Sequence, residues 1–184
     1  MMSGKKSINL HLGAGKRNIP NFLNIDLSKH KHIHFKRNVS DLKNFKSNSV
    51  DYIYACHVLE YFDYHQGTKT LKEWKRVLKP KGVLKISIPD FEALIKVYKK
   101  TKKINDIIGP LFGRMDSDKK IIYHKCVYDF KKIKEMLKKI GFNKIKKFDW
   151  KKTWHSKYDD HSKAYFPHMD QKGILISLNI HAEK

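Results

Sequence analysis

The residues Ile8-Asn9-Leu10-His11-Leu12-Gly13-Ala14-Gly15, followed closely by Asn24-Ile25-Asp26-Leu27, decide the fold of this chain. The first stretch is typical of a buried strand that runs into a glycine turn, where the missing side chain lets the backbone approach a ligand. Asp26 ends the next strand, and a carboxylate there can accept hydrogen bonds from two neighbouring hydroxyl groups, as in a ribose. Ligands of open α/β sheets bind outside the carboxyl ends of the strands. The pattern therefore predicts a site for a nucleoside-containing cofactor.

The spacing after the glycine turn differs from that of a dinucleotide-binding unit. Arg17 and Asn18 stand where a third glycine would be needed. Asp26 follows Gly15 by 11 positions, whereas the dinucleotide-binding pattern has its acidic residue about 20 positions on. We therefore do not expect NAD, and the proline within Lys16–Phe22 favours a loop or one helical turn there. The alternative is that the glycines form a turn and nothing more.

Length and composition favour a single folded domain. The chain has 184 residues, of which 40% are hydrophobic, enough to bury one full core. We expect residues 1–184 to form one domain, with a polar tail at residues 1–7 and a long loop at residues 151–172. No apolar run reaches the length of a membrane-spanning helix. Cys56 and Cys126 are the only cysteines, which favours a reducing, cytoplasmic location without disulfides or a zinc cluster.

The formal net charge of +22 leaves the nature of the partner open. A basic protein is attracted to nucleic acid and to other anionic polymers or surfaces. However, only four of the 40 basic residues are arginines, and arginine is the side chain that best forks phosphates and base edges. Lysine, isoleucine and asparagine are abundant together, as an AT-rich genome would produce. Drift in composition is therefore favoured over a nucleic-acid partner.

Apolar runs alternate with helical periodicity over the first two thirds of the chain, which predicts a parallel sheet with right-handed crossovers. Several runs are continuous, as in strands buried on both faces of a sheet. Gly141 is expected to end the last helix as its C-terminal cap. We expect strands at Ile8–Leu12, Leu23–Leu27, Ile33–Lys36, Val50–Cys56, Val83–Ile88, Ile145–Trp150 and Gly173–Ala182, and helices at Tyr64–Leu78, Phe91–Thr101, Ile104–Phe112 and Phe130–Ile140.

The segment Lys151–Lys172 separates the last two predicted strands and has no regular pattern. A segment of this length inside a compact domain is usually functional or disordered, and its aromatic and histidine residues argue against disorder. Two interpretations remain. The segment folds over the sheet and closes a pocket, or it is a packed structural loop.

Five segments follow one another in the order of a known set of motifs. Leu10–Gly15 carries the glycine turn, Asn24–Leu27 the acidic strand end, and Val39–Leu42 with Ser49–Glu60 the next strand region. The fifth segment, Glu73–Leu84, reads EWKRVLKPKGVL and is the most specific. Together these motifs resemble the class I S-adenosylmethionine-dependent methyltransferases, and the resemblance covers nearly the whole chain.

The C-terminal third narrows this resemblance to a group of small, poorly characterised predicted methyltransferases. The matching segments are His124-Lys125, Gly141-Phe142, Asp149-Trp150, Asp159-Asp160-His161-Ser162, Tyr165–Asp170 and Ser177-Leu178-Asn179. The resemblance implies a Rossmann-like α/β fold with a mostly parallel sheet of seven strands, an antiparallel last strand and a shortened first crossover. It implies S-adenosylmethionine as the cofactor, and it does not imply a substrate.

The resemblance also assigns the cofactor contacts. Gly13 and Gly15 would lie against the methionine and ribose portions, and Asp26 would accept the ribose hydroxyls. Asp41 would accept a hydrogen bond from the adenine amino group, with the Leu42 backbone beside it. The complete expected set is His11, Gly13, Ala14, Gly15, Asp26, Leu27, Asp41, Leu42 and Cys56.

Two positions depart from the family pattern. His11 stands where an acidic residue often meets the methionine amino group, and Lys81 stands where a glycine is common. The short first crossover also removes much of one helix, which leaves the methionine pocket more open. Asp26 and Asp41 have structural alternatives as capping or turn residues.

His57 follows the fourth strand, which in this fold faces the transferable methyl group. An imidazole titrates near neutrality, so His57 is our candidate base for a hydroxyl or amine nucleophile. The alternative is a structural histidine bonded to the backbone or to Glu60. Methyl transfer is an in-line displacement on a sulfonium, for which alignment and desolvation can suffice.

Candidate substrate contacts lie at the same edge of the predicted sheet. Asp90 either binds substrate or caps the helix that begins at Phe91, and the cap is favoured. The histidines at 30, 32 and 34 alternate along the chain, but without a neighbouring carboxylate or cysteine we expect no metal site. The expected substrate set is Asp90, His124, His155, Asp160, Tyr165 and His168, with Lys125 and Asp159 as further candidates.

The sequence therefore predicts an S-adenosylmethionine-dependent methyltransferase that acts on an oxygen or nitrogen atom of a small or glycan-type molecule. Two alternatives stay open: a nucleic-acid methyltransferase, and a protein that binds the cofactor without catalysis. An aminopropyl transferase is disfavoured because no acidic polyamine site is found among the 18 carboxylates.

Overall fold

The computed structural model describes residues 7–117, 120–158 and 160–184. The helices are α1 (Tyr64–Val77), α2 (Phe91–Thr101), α3 (Asn105–Phe112) and α4 (Phe130–Ile140). The strands are β1 (Asn9–Leu12), β2 (Leu23–Asp26), β3 (Phe35–Lys36), β4 (Val50–Cys56), β5 (Leu78–Pro89), β6 (Met115–Ser117), β7 (Lys120–Ile122), β8 (Asn143–Lys147), β9 (Tyr165–Phe166), β10 (Ile174–Leu175) and β11 (Ser177–Glu183).

Seven strands form one central sheet in the order β3-β2-β1-β4-β5-β11-β8. Strands β1 to β5 pair in parallel, and β11 runs antiparallel to both of its neighbours. This is the predicted Rossmann-like α/β fold with a mostly parallel sheet and an antiparallel last strand. The carboxyl ends of β1, β2 and β4 therefore meet at one edge, where the first residues of β11 also lie.

One face of the sheet is apolar and carries the main core. Leu10, Ile53 and Ile86 from three adjacent strands are buried there. Trp74 of α1 and Leu137 of α4 pack against the same cluster, so these two helices cover this face. Burial of large side chains in this way is the dominant stabilising contribution to such a fold.

The opposite face of the sheet is polar, and among the described residues no α-helix covers it. His11, Asn24, Tyr54 and Ser87 are all buried on it, in registers that set His11 beside both Asn24 and Tyr54. The cover consists of the first crossover, a loop with no helix, and part of the segment after β8. The strands are thus buried on both faces, as expected from the continuous runs. The buried residues of this face are however polar, and the segment that covers them supplies hydrogen-bonding partners.

Aspartate side chains begin three of the described helices. Asp63 accepts from the Gln66 amide at the start of α1, Asp129 accepts from the Lys132 amide at the start of α4, and Asp90 caps α2. These carboxylates satisfy amides that have no partner within the helix. As predicted, Gly141 (φ 91°) caps the C-terminus of α4.

The predicted bounds of the last two strands are wrong, because the chain leaves one pairing there and enters another. The strand expected at Ile145–Trp150 is β8 (Asn143–Lys147), since Trp150 begins a 3-10 turn that Asp149 caps. The strand expected at Gly173–Ala182 is divided: Ile174–Leu175 pairs with β9, and only Ser177–Glu183 joins the central sheet. The hairpin of β6 and β7 was not predicted.

Residues 91–127, which we call the insertion, lie between β5 and α4 and comprise α2, α3 and the β6–β7 hairpin. Leu94 and Val97 of α2 and Ile107 of α3 form a small core with β9 and β10 residues. The predicted tail at residues 1–7 lies outside the described residues except for Ser7. No helix in the described ranges is long and apolar enough to cross a membrane.

Candidate active site

The glycine turn after β1 is joined to the end of β2 by hydrogen bonds. Gly13 and Gly15 have φ values of 71° and 51°, a region that L-residues with side chains rarely adopt. The Gly15 amide donates to Asp26 Oδ2 at 2.9 Å, and the Ser28 amide donates to Asp26 Oδ1 at 2.7 Å. Each carboxylate oxygen has a second lone pair, so Asp26 can hold the turn and still accept two hydroxyl groups.

The two glycines differ in what lies beside them. A Cβ on Gly13 would come within 2.2 Å of Val58 Cγ2, so the backbone there packs against the protein itself. A Cβ on Gly15 would meet nothing within 4 Å. Leu27, next to Asp26, is 58% exposed and offers an apolar surface beside this open space. A bare backbone, an acceptor pair and an apolar platform together fit the nucleoside part of S-adenosylmethionine.

The alternating histidines after β2 support the turn. His32 Nε2 lies 3.0 Å from the Gly15 carbonyl oxygen and donates to it, and the His34 ring accepts from the Asn24 amide at 3.0 Å. His30 stacks on His32. In the described part of the chain, no group of three or more His, Cys, Asp or Glu side chains is arranged to hold a metal ion.

Asp41 and Leu42 follow β3 on a loop near α1. The Asp41 side chain is 43% exposed, and a hydrogen bond from the Lys43 amide lowers the pKa of its carboxyl. Leu42 is buried, and its amide donates to Glu73 Oε1 at 3.1 Å. The Leu42 amide expected to face adenine is thus already engaged with α1, whereas the Asp41 carboxylate is open to a ligand.

His11 is enclosed on the polar face of the sheet. The two amide hydrogens of Asn24 go to Asn18 Oδ1 and the His32 carbonyl, which leaves Asn24 Oδ1 to accept from His11 Nδ1 at 3.2 Å. Burial lowers the pKa of His11 to about 4, so the ring is neutral. Only 1% of His11 is exposed, and Ala14 is equally buried. Neither side chain is therefore open to a ligand in this conformation.

His57 lies directly after β4 in the left-handed conformation (φ 53°). Its Nδ1 is 3.1 Å from Glu60 Oε1, and its Nε2 is 3.4 Å from Ser177 Oγ at the start of β11. The ring centroid of His161 lies 5.3 Å away. His57 therefore stands at the carboxyl edge with one nitrogen held and the other facing a hydroxyl group.

Glu60 is the centre of a buried cluster at this edge. The whole residue is removed from solvent, and His124 Nε2 lies 3.8 Å from the same Oε1 atom. His124 Nδ1 lies 3.0 Å from the Pro110 carbonyl oxygen and donates to it. Burial lowers the pKa of His124. A buried carboxylate needs such partners, because a charge without them is costly in a protein interior.

Two further expected residues have structural partners. Asp90 is buried and accepts from the Glu92 and Ala93 amides, so the favoured interpretation as the cap of α2 is confirmed. Cys56 ends β4, and burial with the neighbouring Asp160 charge raises the pKa of its thiol. A protonated thiol is a poor nucleophile and packs as a small apolar group.

The segment after β8 divides into two parts with different locations. Asp160 accepts from the Tyr54 hydroxyl at 2.6 Å, and the His155 ring lies 4.2 Å from the Tyr54 ring, so both cover the polar face. Tyr165 begins β9, and its hydroxyl accepts from Trp150 Nε1. His168 is exposed on the turn before β10, and Asp159 lies outside the described residues.

The structure thus groups the expected site residues into separate sets. His57 and His124 meet at Glu60, whereas His155 and Asp160 lie beneath the sheet with His11, and Tyr165 and His168 lie elsewhere. Sequence reasoning assigned no functional role to Glu60 or Ser177. The i, i+3 spacing of His57 and Glu60 directly after a strand was the available signal, while Ser177 is 120 positions from His57.

The strand order and the glycine turn define the class I methyltransferase fold. Residues 16–86 match the sequence model of a family described as methyltransferase domain. The chain is similar to a demethylmenaquinone methyltransferase of Staphylococcus haemolyticus, with 33% identity over 139 residues. That match covers 68% of this chain and 56% of the relative, so the chain corresponds to only about half of that enzyme's length.

Solved structures share the whole architecture. A SAM-dependent methyltransferase from Archaeoglobus fulgidus superposes with a TM-score of 0.61 at 15% identity, over 97% of this chain and 86% of that one. A Burkholderia thailandensis 1,6-didemethyltoxoflavin-N1-methyltransferase, solved with bound 1,6-didemethyltoxoflavin and S-adenosylhomocysteine, gives a TM-score of 0.56 at 14% identity, over 98% of this chain and 72% of that one. The chain therefore has the fold of the class I S-adenosylmethionine-dependent methyltransferases, and residues 16–86 carry the sequence pattern of a methyltransferase domain.

Proposed function

We propose that this protein transfers the methyl group of S-adenosylmethionine to an oxygen or nitrogen atom of a small or glycan-type molecule. One observation carries the proposal: the open backbone at Gly15, whose amide is bonded to the Asp26 carboxylate, lies at the same sheet edge as His57, whose Nε2 faces the Ser177 hydroxyl. A cofactor site and a proton acceptor thus share one edge.

The residues that would hold the cofactor are those at this edge with an open backbone or an acceptor oxygen that can take a further hydrogen bond. Asp26 would accept the ribose hydroxyls, the Gly15 backbone would lie against the ligand, and Asp41 would accept from adenine. S-adenosylmethionine supplies the sulfonium-bound methyl group and is released as S-adenosylhomocysteine. The contact of His11 with the methionine amino group would need the cover of the polar face to move, because His11 is enclosed.

His57 would act on the methyl acceptor. Glu60 Oε1, 3.1 Å from Nδ1, would hold the ring proton on Nδ1 and leave the Nε2 lone pair to take the proton from a hydroxyl or amine as it attacks. Ser177 marks where such a hydroxyl can be placed, since its Oγ is 3.4 Å from Nε2. Alignment of the acceptor with the methyl group supplies the remaining contribution.

Two observations favour a small acceptor over nucleic acid. The names of the compared methyltransferases from Staphylococcus haemolyticus and Burkholderia thailandensis denote small-molecule acceptors. In addition, Arg76, one of the four arginines, is engaged in a partly exposed pair with Glu73. A steep fall of RNA or DNA affinity with salt, combined with methyl incorporation into that polymer, would instead support the nucleic-acid alternative.

The first experiment measures cofactor binding. Thermal denaturation with S-adenosylmethionine or S-adenosylhomocysteine, followed by calorimetric titration, should show binding. Ligand at 100 times its Kd raises the free energy of unfolding by about 2.7 kcal/mol. The shift should vanish in Asp26→Ala and persist in Asp170→Ala, an exposed aspartate far from the glycine turn. No shift at millimolar ligand would refute the proposal, and binding without turnover on any acceptor pool would indicate the non-catalytic alternative.

A further inference from the structure

The insertion (residues 91–127) exposes most of the large apolar side chains that this protein leaves in water. Ten of the fourteen exposed large hydrophobic residues in the described ranges belong to it. Isolated exposed apolar residues are ordinary in proteins, but their concentration in one segment marks an interaction surface. The main core does not need these side chains, because it is complete without them.

The exposed residues form a stripe on each helix of the insertion. Phe91, Ile95 and Tyr98 recur along α2 at the spacing of one helical face, and Ile104, Ile108 and Phe112 do so at and along α3. A different face of each helix is buried, through Leu94 and Val97 of α2 and Ile107 of α3. Each helix thus has a second apolar face, whose side chains the described chain leaves 37–57% exposed.

Lysines surround these stripes. Lys99, Lys100, Lys102 and Lys103 are exposed at the junction of α2 and α3. The insertion has nine basic and four acidic residues, a formal charge of +5, within a chain of +22. Lysine stems can lie along an apolar surface while their ammonium groups reach an anionic layer above it.

We propose that the insertion docks this protein onto the surface of an anionic lipid bilayer. Apolar helix faces bordered by lysine are the composition of helices that lie in the membrane interface, and lysines near the membrane are attracted to anionic lipids. The positive charge of the whole chain draws it to the bilayer, and the apolar stripes select the face that makes contact. The proposal is independent of the methyl-transfer reaction.

The chemistry of the surface favours lipid over nucleic acid. Nucleic-acid surfaces use arginine forks and stacked aromatic rings, whereas three of the six stripe residues are isoleucines, two of them in the α3 stripe. The one arginine of the insertion, Arg114, pairs with Asp116 at 2.9 Å. Transfer of aliphatic side chains from water into a hydrocarbon layer lowers their free energy, whereas contact with phosphate groups does not.

The docking surface is connected to the candidate active site. The His124 amide donates to the Phe112 carbonyl oxygen at 2.8 Å, and a Cβ on Gly113 would lie 2.1 Å from His124 Nε2, so that ring packs directly on the end of α3. His124 in turn reaches Glu60. A membrane bound to the insertion would therefore lie next to the carboxyl edge of the sheet.

The test is co-sedimentation with vesicles of phosphatidylcholine, with and without phosphatidylglycerol. We expect binding to the anionic vesicles only. The triple variant Ile104→Ser/Ile108→Ser/Phe112→Ser should lower the partition coefficient about tenfold or more, while Met169→Ser, an exposed apolar residue outside the insertion, should leave it unchanged. Circular dichroism and the thermal midpoint show whether each variant is folded.

A pair of charge variants separates docking from general attraction. Lys99→Gln/Lys100→Gln/Lys103→Gln should weaken vesicle binding about tenfold, and Lys131→Gln/Lys138→Gln/Lys139→Gln on α4, with the same loss of charge, should change it less than about twofold. As a second readout, Ile108→Trp fluorescence should be quenched by brominated lipid and Met169→Trp fluorescence should not.

Three results would overturn the proposal. Equal losses in the two lysine variants would show attraction by net charge alone. Unchanged vesicle binding by the apolar variant would show that the stripes do not enter lipid. Binding to single-stranded RNA or self-association in light scattering, with no vesicle binding and with loss in the apolar variant, would assign the surface to that other partner.

Discussion

Nδ1 of His57 lies 3.1 Å from Oε1 of Glu60, a carboxylate that is buried away from solvent at the carboxyl edge of the sheet. The contact lacks hydrogen-bond geometry, but the negative charge at this distance favours the neutral tautomer with the proton on Nδ1 and the lone pair on Nε2. That tautomer is the one our proposal of His57 as the base for methyl transfer requires.

His57→Gln should lower kcat about 10²- to 10⁴-fold, the usual contribution of a positioned base. The Kd of S-adenosylmethionine should not change, because the site at Gly15 and Asp26 is left intact. The measurement is methyl transfer to an acceptor found by screening, together with calorimetric titration of the cofactor.

Glu60→Gln and His65→Gln serve as comparisons for His57→Gln. The glutamine at position 60 can still accept from Nδ1 but lacks the charge, so its kcat should fall less than that of His57→Gln. His65 is exposed on α1 and should tolerate the change without loss. Full activity of His57→Gln would mean that alignment and desolvation alone carry the reaction.

Gly13→Ala and Gly15→Ala should differ in stability although both residues have positive φ. Either alanine costs about 1–2 kcal/mol in the left-handed region. Gly13→Ala adds a clash with Val58 Cγ2 at 2.2 Å, which brings about 1–3 kcal/mol more. Gly15→Ala has no clash within the protein, yet its methyl group would enter the cofactor space, so the Kd of S-adenosylmethionine should rise. Urea denaturation and titration measure the two effects.

The double variant Gly13→Ala/Val58→Ala provides the control for that comparison. Removal of the Val58 methyl groups should recover part of the stability lost in Gly13→Ala, while the part due to φ remains. Equal stability of the single and double variants would show that Val58 is not the cause.

Local signals in the sequence were sufficient for much of the fold. The helices at Phe91–Thr101 and Phe130–Ile140 and the strand at Val50–Cys56 have the predicted bounds, because capping residues and periodicity act within a few positions. The glycine turn and Asp26 were predicted for the same reason, and they do lie together.

The segment that covers the polar face could not be predicted from the sequence, because its position depends on contacts between residues far apart along the chain. Tyr54 and Asp160 form a hydrogen bond across 106 positions, and no local pattern specifies such a contact. The division of the expected Gly173–Ala182 strand has a similar origin, since Ile174 pairs with Phe166 and not with the sheet. The histidine at position 11, which departs from the family pattern, is explained by its hydrogen bond to Asn24 and its ring contact with Tyr54.

Lys184→Ala should lower the free energy of unfolding by about 1–2 kcal/mol. The Lys184 ammonium group donates to the carbonyl oxygens of Lys75 and Leu78 at 2.7 and 2.8 Å and to Asn48 Oδ1 at 2.8 Å. A cation at this place satisfies carbonyl groups that the end of α1 leaves free and lies at the negative end of the helix dipole. Lys139→Ala, an exposed lysine of α4, is the control and should change stability little; a loss as large as that of Lys184→Ala would refute this role.

The stability of the protein should fall as the pH falls from about 6.5 to about 4, the window that two buried histidines set. Burial lowers the pKa of His155 to about 4, with Asp160 opposing the shift and Lys85 adding to it, and His11 is lowered to about 4 in the same way. Below pH 6.5 the unfolded chain binds protons that the folded protein does not bind until about pH 4. Each histidine can therefore lower the free energy of unfolding by up to about 3 kcal/mol between about pH 6.5 and about pH 4, and by less where the two histidines interact.

His155→Phe should make this pH dependence shallower without loss of the fold. A phenyl ring can occupy the place against Tyr54, and the change removes a buried Nε2 that has no hydrogen-bond partner. At about pH 7.5 the free energy of unfolding should stay within about 1 kcal/mol of the native value, and at about pH 5 the variant should be the more stable protein. Urea denaturation at both pH values gives this difference, with His65→Gln expected to follow the native protein. Parallel pH curves for His155→Phe and the native protein would show that His155 is already protonated in the folded state and that the low pKa is wrong.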